Sequence, residues 1–80
     1  MARVTVIFFA TARDRMKTGE AAFEVREGST IDDLYREHLA RGLASPIDHW
    51  RFAVNQGWAS RDQVLGEGDE VAVIPPLSGG

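Results

Sequence analysis

Few side chains in this 80-residue sequence could carry out chemistry, and no recognisable catalytic group is present. The absence of cysteine excludes a disulfide framework, a cysteine-based zinc site, an iron–sulfur centre and a thiol nucleophile. His38 and His49 have no metal-ligand spacing, so the sequence predicts no metal site. No serine lies in a G-x-S-x-G motif, and no glycine pair has the lysine of a P-loop. Helix capping accounts for the acidic pair Asp32 and Asp33, so we assign no acid–base pair. Without a cysteine or a serine in such a motif, we also assign no nucleophile.

The last six residues, Pro75 to Gly80, are the remaining candidate. Gly79 and Gly80 have no side chains and can thread a narrow channel, whereas Pro75 and Pro76 stiffen the base of the segment and cannot extend a central strand. The group that we expect at the tip is the α-carboxylate of Gly80, an anion and a poor electrophile at neutral pH. A partner that uses ATP would have to activate it by adenylation. The alternative is a frayed end without a function.

Alternation along the strands predicts an exposed apolar patch near this tail. If the even-numbered residues of the first strand face the core, Ile7 and Phe9 face outward, and the same reasoning places Ile74 on the outer side of the last strand. Trp58 follows a turn and is expected either to join Phe9 and Ile74 in the patch or to cover the core. The first arrangement would form a docking site for a partner.

The elements that must position these residues follow from periodicity. Alternating apolar residues predict strands at 3–9, 21–26, 50–55, 58–60 and 70–74, and a short helix is expected at 10–17. Thr30 is a good N-cap for a long helix that we expect to end at Gly42, followed by a loop at 43–49. Its apolar face is predicted to comprise Ile31, Leu34, Tyr35, His38 and Leu39. We therefore predict an α+β fold in which one main helix packs on one face of a mixed sheet, with the first and last strands adjacent.

Length and composition restrict the class of protein further. Eighty residues form one domain, which we place at 1–76, with a flexible Gly-Gly tail at 77–80. The net charge of -3 has the wrong sign for nucleic-acid binding. No apolar run is long enough to span a membrane, and removal of residues 1–12 as a signal peptide would discard the most β-prone segment. The cytoplasm is the expected compartment.

Several motifs together resemble those of the ubiquitin-like MoaD/ThiS sulfur-carrier family, and in particular the small subunits of molybdopterin synthase. The resemblance extends over nearly the whole chain, and the order and spacing of its last motifs are the most specific part. The motifs are Phe8-Phe9-Ala10 with Arg13, Thr30 with Leu34, Val54-Asn55-Gln56, Leu65, Gly68-Asp69-Glu70-Val71-Ala72 and Pro75-Pro76-Leu77-Ser78-Gly79-Gly80.

The resemblance implies a β-grasp fold and a mechanism for the tail. An E1-like enzyme would consume ATP to adenylate Gly80, and a sulfur donor, either a cysteine desulfurase or a rhodanese-like protein, would convert it to a thiocarboxylate. The tail would then enter the large subunit of molybdopterin synthase and transfer sulfur to cyclic pyranopterin monophosphate, in a heterotetramer of two small and two large subunits. This chain would bind no cofactor and would lack a complete active site. The implied partner-binding residues are Phe9, Trp58, Ile74, Pro75, Pro76, Leu77 and Ser78, with Gly79 and Gly80 at the reacting end.

Three other functions stay open at this point. A thiamine-pathway sulfur carrier has the same fold, although Pro75-Pro76 and the following Leu77-Ser78 favour the molybdenum branch. A ubiquitin-like modifier would join Gly80 to lysines of target proteins. A plain binding module would use the domain alone and keep its activity without Gly79 and Gly80.

Overall fold

Five strands form one mixed sheet in the computed structural model, which describes residues 1–76. The strands are β1 (Ala2–Phe8), β2 (Glu20–Val25), β3 (Arg51–Val54), β4 (Gly57–Ala59) and β5 (Glu70–Ile74). Their order across the sheet is β2-β1-β5-β3-β4, with β1 and β5 parallel and every other neighbouring pair antiparallel. The predicted adjacency of the first and last strands is confirmed.

The main helix, residues 31–43, packs on one face of this sheet. It begins with α2 (Ile31–Leu34), continues through a π-helical turn (Tyr35–Leu39) and ends with α3 (Ala40–Leu43). The predicted N-cap is confirmed, because the Thr30 hydroxyl accepts a hydrogen bond from the Asp33 amide and the Asp33 carboxylate accepts one from the Thr30 amide. One helix on one face of a mixed sheet is the predicted α+β β-grasp fold.

The end of the main helix differs from the prediction. Gly42 lies inside the last turn, and Ala44, with a φ of 54°, terminates the helix instead. A Cβ atom at Gly42 would come within 2.5 Å of the Met16 sulfur, at the end of α1 (Thr11–Met16). Glycine at position 42 therefore leaves room for the Met16 side chain, and it does not end the helix.

Two further expectations about this region are wrong. His38 is exposed and is not part of the apolar face. Its ring lies at the edge of the sheet, where the ring centroids of His38 and Phe23 are 5.1 Å apart and His38 Nε2 is 3.2 Å from the Glu24 carbonyl oxygen. The predicted loop at 43–49 contains a 3₁₀ turn (Ile47–His49), in which the His49 amide donates to the Pro46 carbonyl.

The core lies between the main helix and the inner face of the sheet. Its buried apolar residues are Ala2, Val4, Val6, Phe8, Ala12, Val25, Ile31, Leu34, Tyr35, Leu39, Leu43, Trp50, Phe52, Leu65, Val71 and Val73. The Trp50 indole donates to the Tyr35 hydroxyl at 3.1 Å, and this hydroxyl in turn donates to the Ser45 carbonyl. Burial raises the pKa of Tyr35, and the network satisfies the polar atoms of both rings. No helix within residues 1–76 is long and apolar enough to cross a membrane.

Candidate functional site

The outer face of the sheet presents the apolar residues that alternation predicts there. Phe9 and Trp58 are 47% and 70% exposed, and Ile74 is half-buried, whereas the even-numbered residues of β1 are buried. The alternative in which Trp58 covers the core is therefore wrong. A prominent indole on a small acidic domain is a natural anchor for a partner.

These residues surround a shallow furrow across the centre of the sheet. Strand register places Ala72 of β5 between Ile7 of β1 and Ala53 of β3, and Ala53 faces Trp58 of β4. The small side chains of the two alanines form the floor of the furrow, between the larger side chains of Ile7 and Trp58. Ala53 is buried although it is on the outer face. The furrow has a volume of about 370 Å³. It is lined by Ile7, Phe9, Ala53, Gln56, Trp58, Glu70, Ala72 and Ile74.

A second apolar groove continues from the furrow to the base of the predicted tail. It has a volume of about 610 Å³ and shares Phe9 and Ile74 with the furrow. Its lining residues are Phe9, Ala10, Thr11, His49, Ile74, Pro75 and Pro76. The furrow and the groove thus form one apolar surface, which we call the docking surface, from Trp58 to Pro76.

The backbone at Ala10 is one feature of this surface that the sequence does not reveal. Ala10 has a φ of 48° and a ψ of -122°, a conformation that a residue with a Cβ atom rarely adopts. Hydrogen bonds on both sides hold it there, from the Phe9 amide to the Val73 carbonyl and from the Ala12 amide to the Phe9 carbonyl. Such strain costs about 1–3 kcal/mol and is concentrated at functional sites.

His49 is a second feature that sequence reasoning missed. The sequence predicts a loop at this position and no metal site, whereas the 3₁₀ turn places His49 in the groove beside Pro75 and Pro76. Its exposed ring packs edge-on against Trp50 at a centroid distance of 4.6 Å. No signal in the sequence indicates this position, because it depends on how the 43–49 segment turns.

The charged cluster with shifted pKa values lies elsewhere, at the start of the main helix. Arg61 forms ion pairs with Asp32 at 2.8 Å and with Asp48 at 3.0 Å. The hydrogen bond from Arg61 lowers the pKa of Asp32, and the hydrogen bond from the Thr30 backbone lowers that of Asp33. These interactions attach the 60–63 segment to the helix, and none of the three aspartates or Arg61 lines the furrow or the groove.

The described residues offer a surface for binding and no set of catalytic groups. Within residues 1–76 there is no group of three histidine, cysteine, aspartate or glutamate side chains that could hold a metal ion. The predicted site residues Phe9, Trp58, Ile74, Pro75 and Pro76 are brought together on the docking surface. The other predicted site residues lie outside the described part of the chain: Leu77, Ser78, Gly79 and Gly80.

Comparison with known proteins gives concordant matches. The model of the ThiS family matches residues 6–80. The molybdopterin synthase sulfur carrier subunit of Chlamydomonas reinhardtii is 37% identical over 82 residues, which cover 98% of this chain and 99% of that protein. The Drosophila melanogaster protein of the same name is 40% identical over 82 residues, covering 96% of this chain and 90% of that protein.

Similarity of structure extends to more distant proteins. The crystal structure of SAMP1 from Haloferax volcanii has a TM-score of 0.85 to this chain at 22% sequence identity, covering 99% of this chain and 100% of that one. At this level of identity the similarity shows a shared β-grasp fold.

Proposed function

We propose that this chain, which belongs to the ThiS family, is the sulfur carrier subunit of a molybdopterin synthase. The observation that carries the proposal is the continuous apolar docking surface, which extends from Trp58 to Pro76 at the point where the chain continues toward Gly80. It is supported by relatives of that name that match the chain over nearly its whole length.

The proposed chemistry takes place at the carboxyl group of Gly80. Attack of this carboxylate on the α-phosphate of ATP, in an adenylating enzyme, forms an acyl adenylate and releases pyrophosphate. The terminal sulfur of a persulfide on the donor then attacks the acyl carbon and displaces AMP, which gives an acyl disulfide. A second thiol, of the donor or of the activating enzyme, cleaves the S–S bond and forms a disulfide with the donor, which releases Gly80 as a thiocarboxylate. In the large subunit the thiocarboxylate sulfur displaces an oxygen substituent from a carbon of cyclic pyranopterin monophosphate, and hydrolysis of the resulting thioester leaves the sulfur on the pterin and returns Gly80 as a carboxylate. Since each carrier delivers one sulfur, the dithiolene of molybdopterin requires two deliveries.

The docking surface accounts for the role of the folded domain in this scheme. Phe9, Trp58 and Ile74 would be buried against the large subunit, and the same contact would direct the chain beyond Pro76 into the pocket that holds the pterin. Glycines 79 and 80 carry no side chain that could obstruct a narrow channel. The large subunit thus provides the substrate site, and this chain provides the sulfur.

A truncated chain tests this function. We expect the chain without Gly79 and Gly80 to form no molybdopterin when it is combined with the adenylating enzyme, sulfur donor, large subunit and precursor. Its free energy of unfolding should be unchanged, because the core lies within residues 2–73. The exposed substitution Arg41→Gln, on the main helix, serves as a control and should retain full activity. Undiminished product from the truncated chain would contradict the proposal.

The same assay separates the molybdenum branch from the thiamine branch. Replacing the large subunit and the pterin precursor with a thiazole synthase and its substrates should give no sulfur transfer. Efficient transfer to the thiazole synthase, and none to the pterin, would assign the chain to the thiamine pathway.

A further inference from the structure

Arg51 lies at the rim of the docking surface and forms no ion pair with any of the described residues. Its guanidinium carbon is 5.5 Å from the centroid of the Trp58 ring, and register places Arg51 beside Ile74 on the outer face. The ion pairs within residues 1–76 involve Arg36 and Arg61, and Arg51 forms none of them. Stacking on the indole holds this cation in place.

The Trp58 ring also separates the furrow from a more polar notch. The notch has a volume of about 490 Å³ and lies where β4 diverges from β3. Its polar lining comes from Asp48, Arg51, Ser60 and Arg61. Because Arg61 is already paired with Asp32 and Asp48, the guanidinium in the notch that forms no ion pair with a described residue is that of Arg51.

From this arrangement we propose that the furrow and the notch bind one segment of the large subunit, which places an apolar side chain on the alanine floor and a carboxylate against Arg51. The inference rests on the proposed function and defines the chemistry of its partner. A guanidinium binds a carboxylate with two parallel hydrogen bonds, so the pair fixes the orientation of the segment as well as its position. This chain has a net charge of -3, so Arg51 is a local positive charge on a domain that is acidic overall.

The furrow and Arg51 therefore have separate roles in recognition. Burial of an apolar side chain between Ile7 and Trp58 supplies affinity, because the furrow exposes apolar surface that docking removes from water. The pair with Arg51 supplies register and a faster, salt-dependent association. A partner with an apolar side chain but no neighbouring carboxylate would bind without the electrostatic contribution.

Binding of full-length variants to the intact large subunit tests the inference, with dissociation constants and association rates measured over a range of salt concentrations. We expect Arg51→Gln to weaken binding about threefold to fivefold, to slow association and to flatten the salt dependence. Arg51→Lys should retain most of the salt dependence, because it keeps the charge. Arg41→Gln removes the same charge from the main helix and should have no effect.

The outcomes distinguish this inference from the proposed function. If Arg51→Gln has the affinity and salt dependence of the unmodified chain, the inference is overturned and the proposed function stands. If the unmodified chain does not bind the large subunit at all, the proposed function fails and this inference fails with it. If Arg51→Lys is as weak as Arg51→Gln, and its binding is as insensitive to salt, the carboxylate pair is contradicted.

Discussion

Replacing Trp58 with alanine separates the contribution of this side chain to stability from its contribution to docking. The residue lies on the edge strand β4 and is 70% exposed, so little of its area is buried in the isolated chain. Its remaining contacts are with the floor of the furrow and with Arg51. We expect the free energy of unfolding to fall by only about 1 kcal/mol, well below the 3–5 kcal/mol typical of a buried tryptophan.

The expected loss of binding is larger. A tryptophan can bury about 250 Å², so the 70% that is exposed corresponds to about 175 Å², or about 4 kcal/mol if docking buried all of it. Part of this is offset by ordering of the interface and by incomplete burial, which leaves about 2 kcal/mol as a lower estimate. Trp58→Ala should therefore weaken binding to the large subunit at least about thirtyfold.

Isothermal titration calorimetry measures the affinity for the large subunit, and urea unfolding measures the free energy of unfolding of the same variant. Val64→Ala is the matched control, because Val64 is also a large apolar residue, 56% exposed, and does not line the docking surface. It should leave the affinity unchanged. Equal affinities for Trp58→Ala and Val64→Ala would refute the assignment of the docking surface.

Three further predictions concern the same surface and the fold that supports it. Phe9→Asp or Ile74→Asp places a charge in the apolar interface and should weaken binding by more than tenfold, measured by calorimetry; unchanged affinity would count against the surface. Ala10→Gly should raise the free energy of unfolding by about 1 kcal/mol, since glycine adopts a φ of 48° without strain, and a loss of stability in urea would contradict this. The pKa values of Asp32 and Asp33 lie below their usual value of 3.8, so the contribution of these carboxylates to stability is complete above that pH and is lost as the pH falls below it. Urea unfolding between pH 6 and about pH 2 should show this loss of stability. Asp33→Asn should make the loss smaller, and an equal loss in that variant would contradict the assignment.

Local sequence rules are sufficient for the strands, for the start of the main helix and for the direction in which the strands face. The N-cap at Thr30 depends on residues within four positions, and the outward direction of Phe9 and Ile74 follows from alternation. The terminal motifs of the resemblance, from Gly68 to Gly80, pointed to the family that the comparisons show.

Features that depend on packing between distant segments could not be predicted in this way. Gly42 carries a helix-ending signal, but the approach of Met16, 26 positions earlier, determines its role. The furrow requires Ala53 and Ala72 to be neighbours across two strands, which only the register establishes. The positions of His49 in the groove and of Arg51 beside Trp58 likewise depend on the turn of the 43–49 segment and on the pairing of β4.

The central claim is that Gly80 carries sulfur, and the intact mass of the chain tests it most directly. The chain would be incubated with ATP, an adenylating enzyme of the family and a sulfur donor, then measured by mass spectrometry before and after the reaction. The starting mass also establishes whether Gly80 is the terminal residue. We expect a gain equal to the difference between one sulfur and one oxygen atom, which is absent without ATP and absent when Gly80 is deleted. An unchanged mass with active enzymes, or the same gain in the chain that lacks Gly80, would contradict the claim.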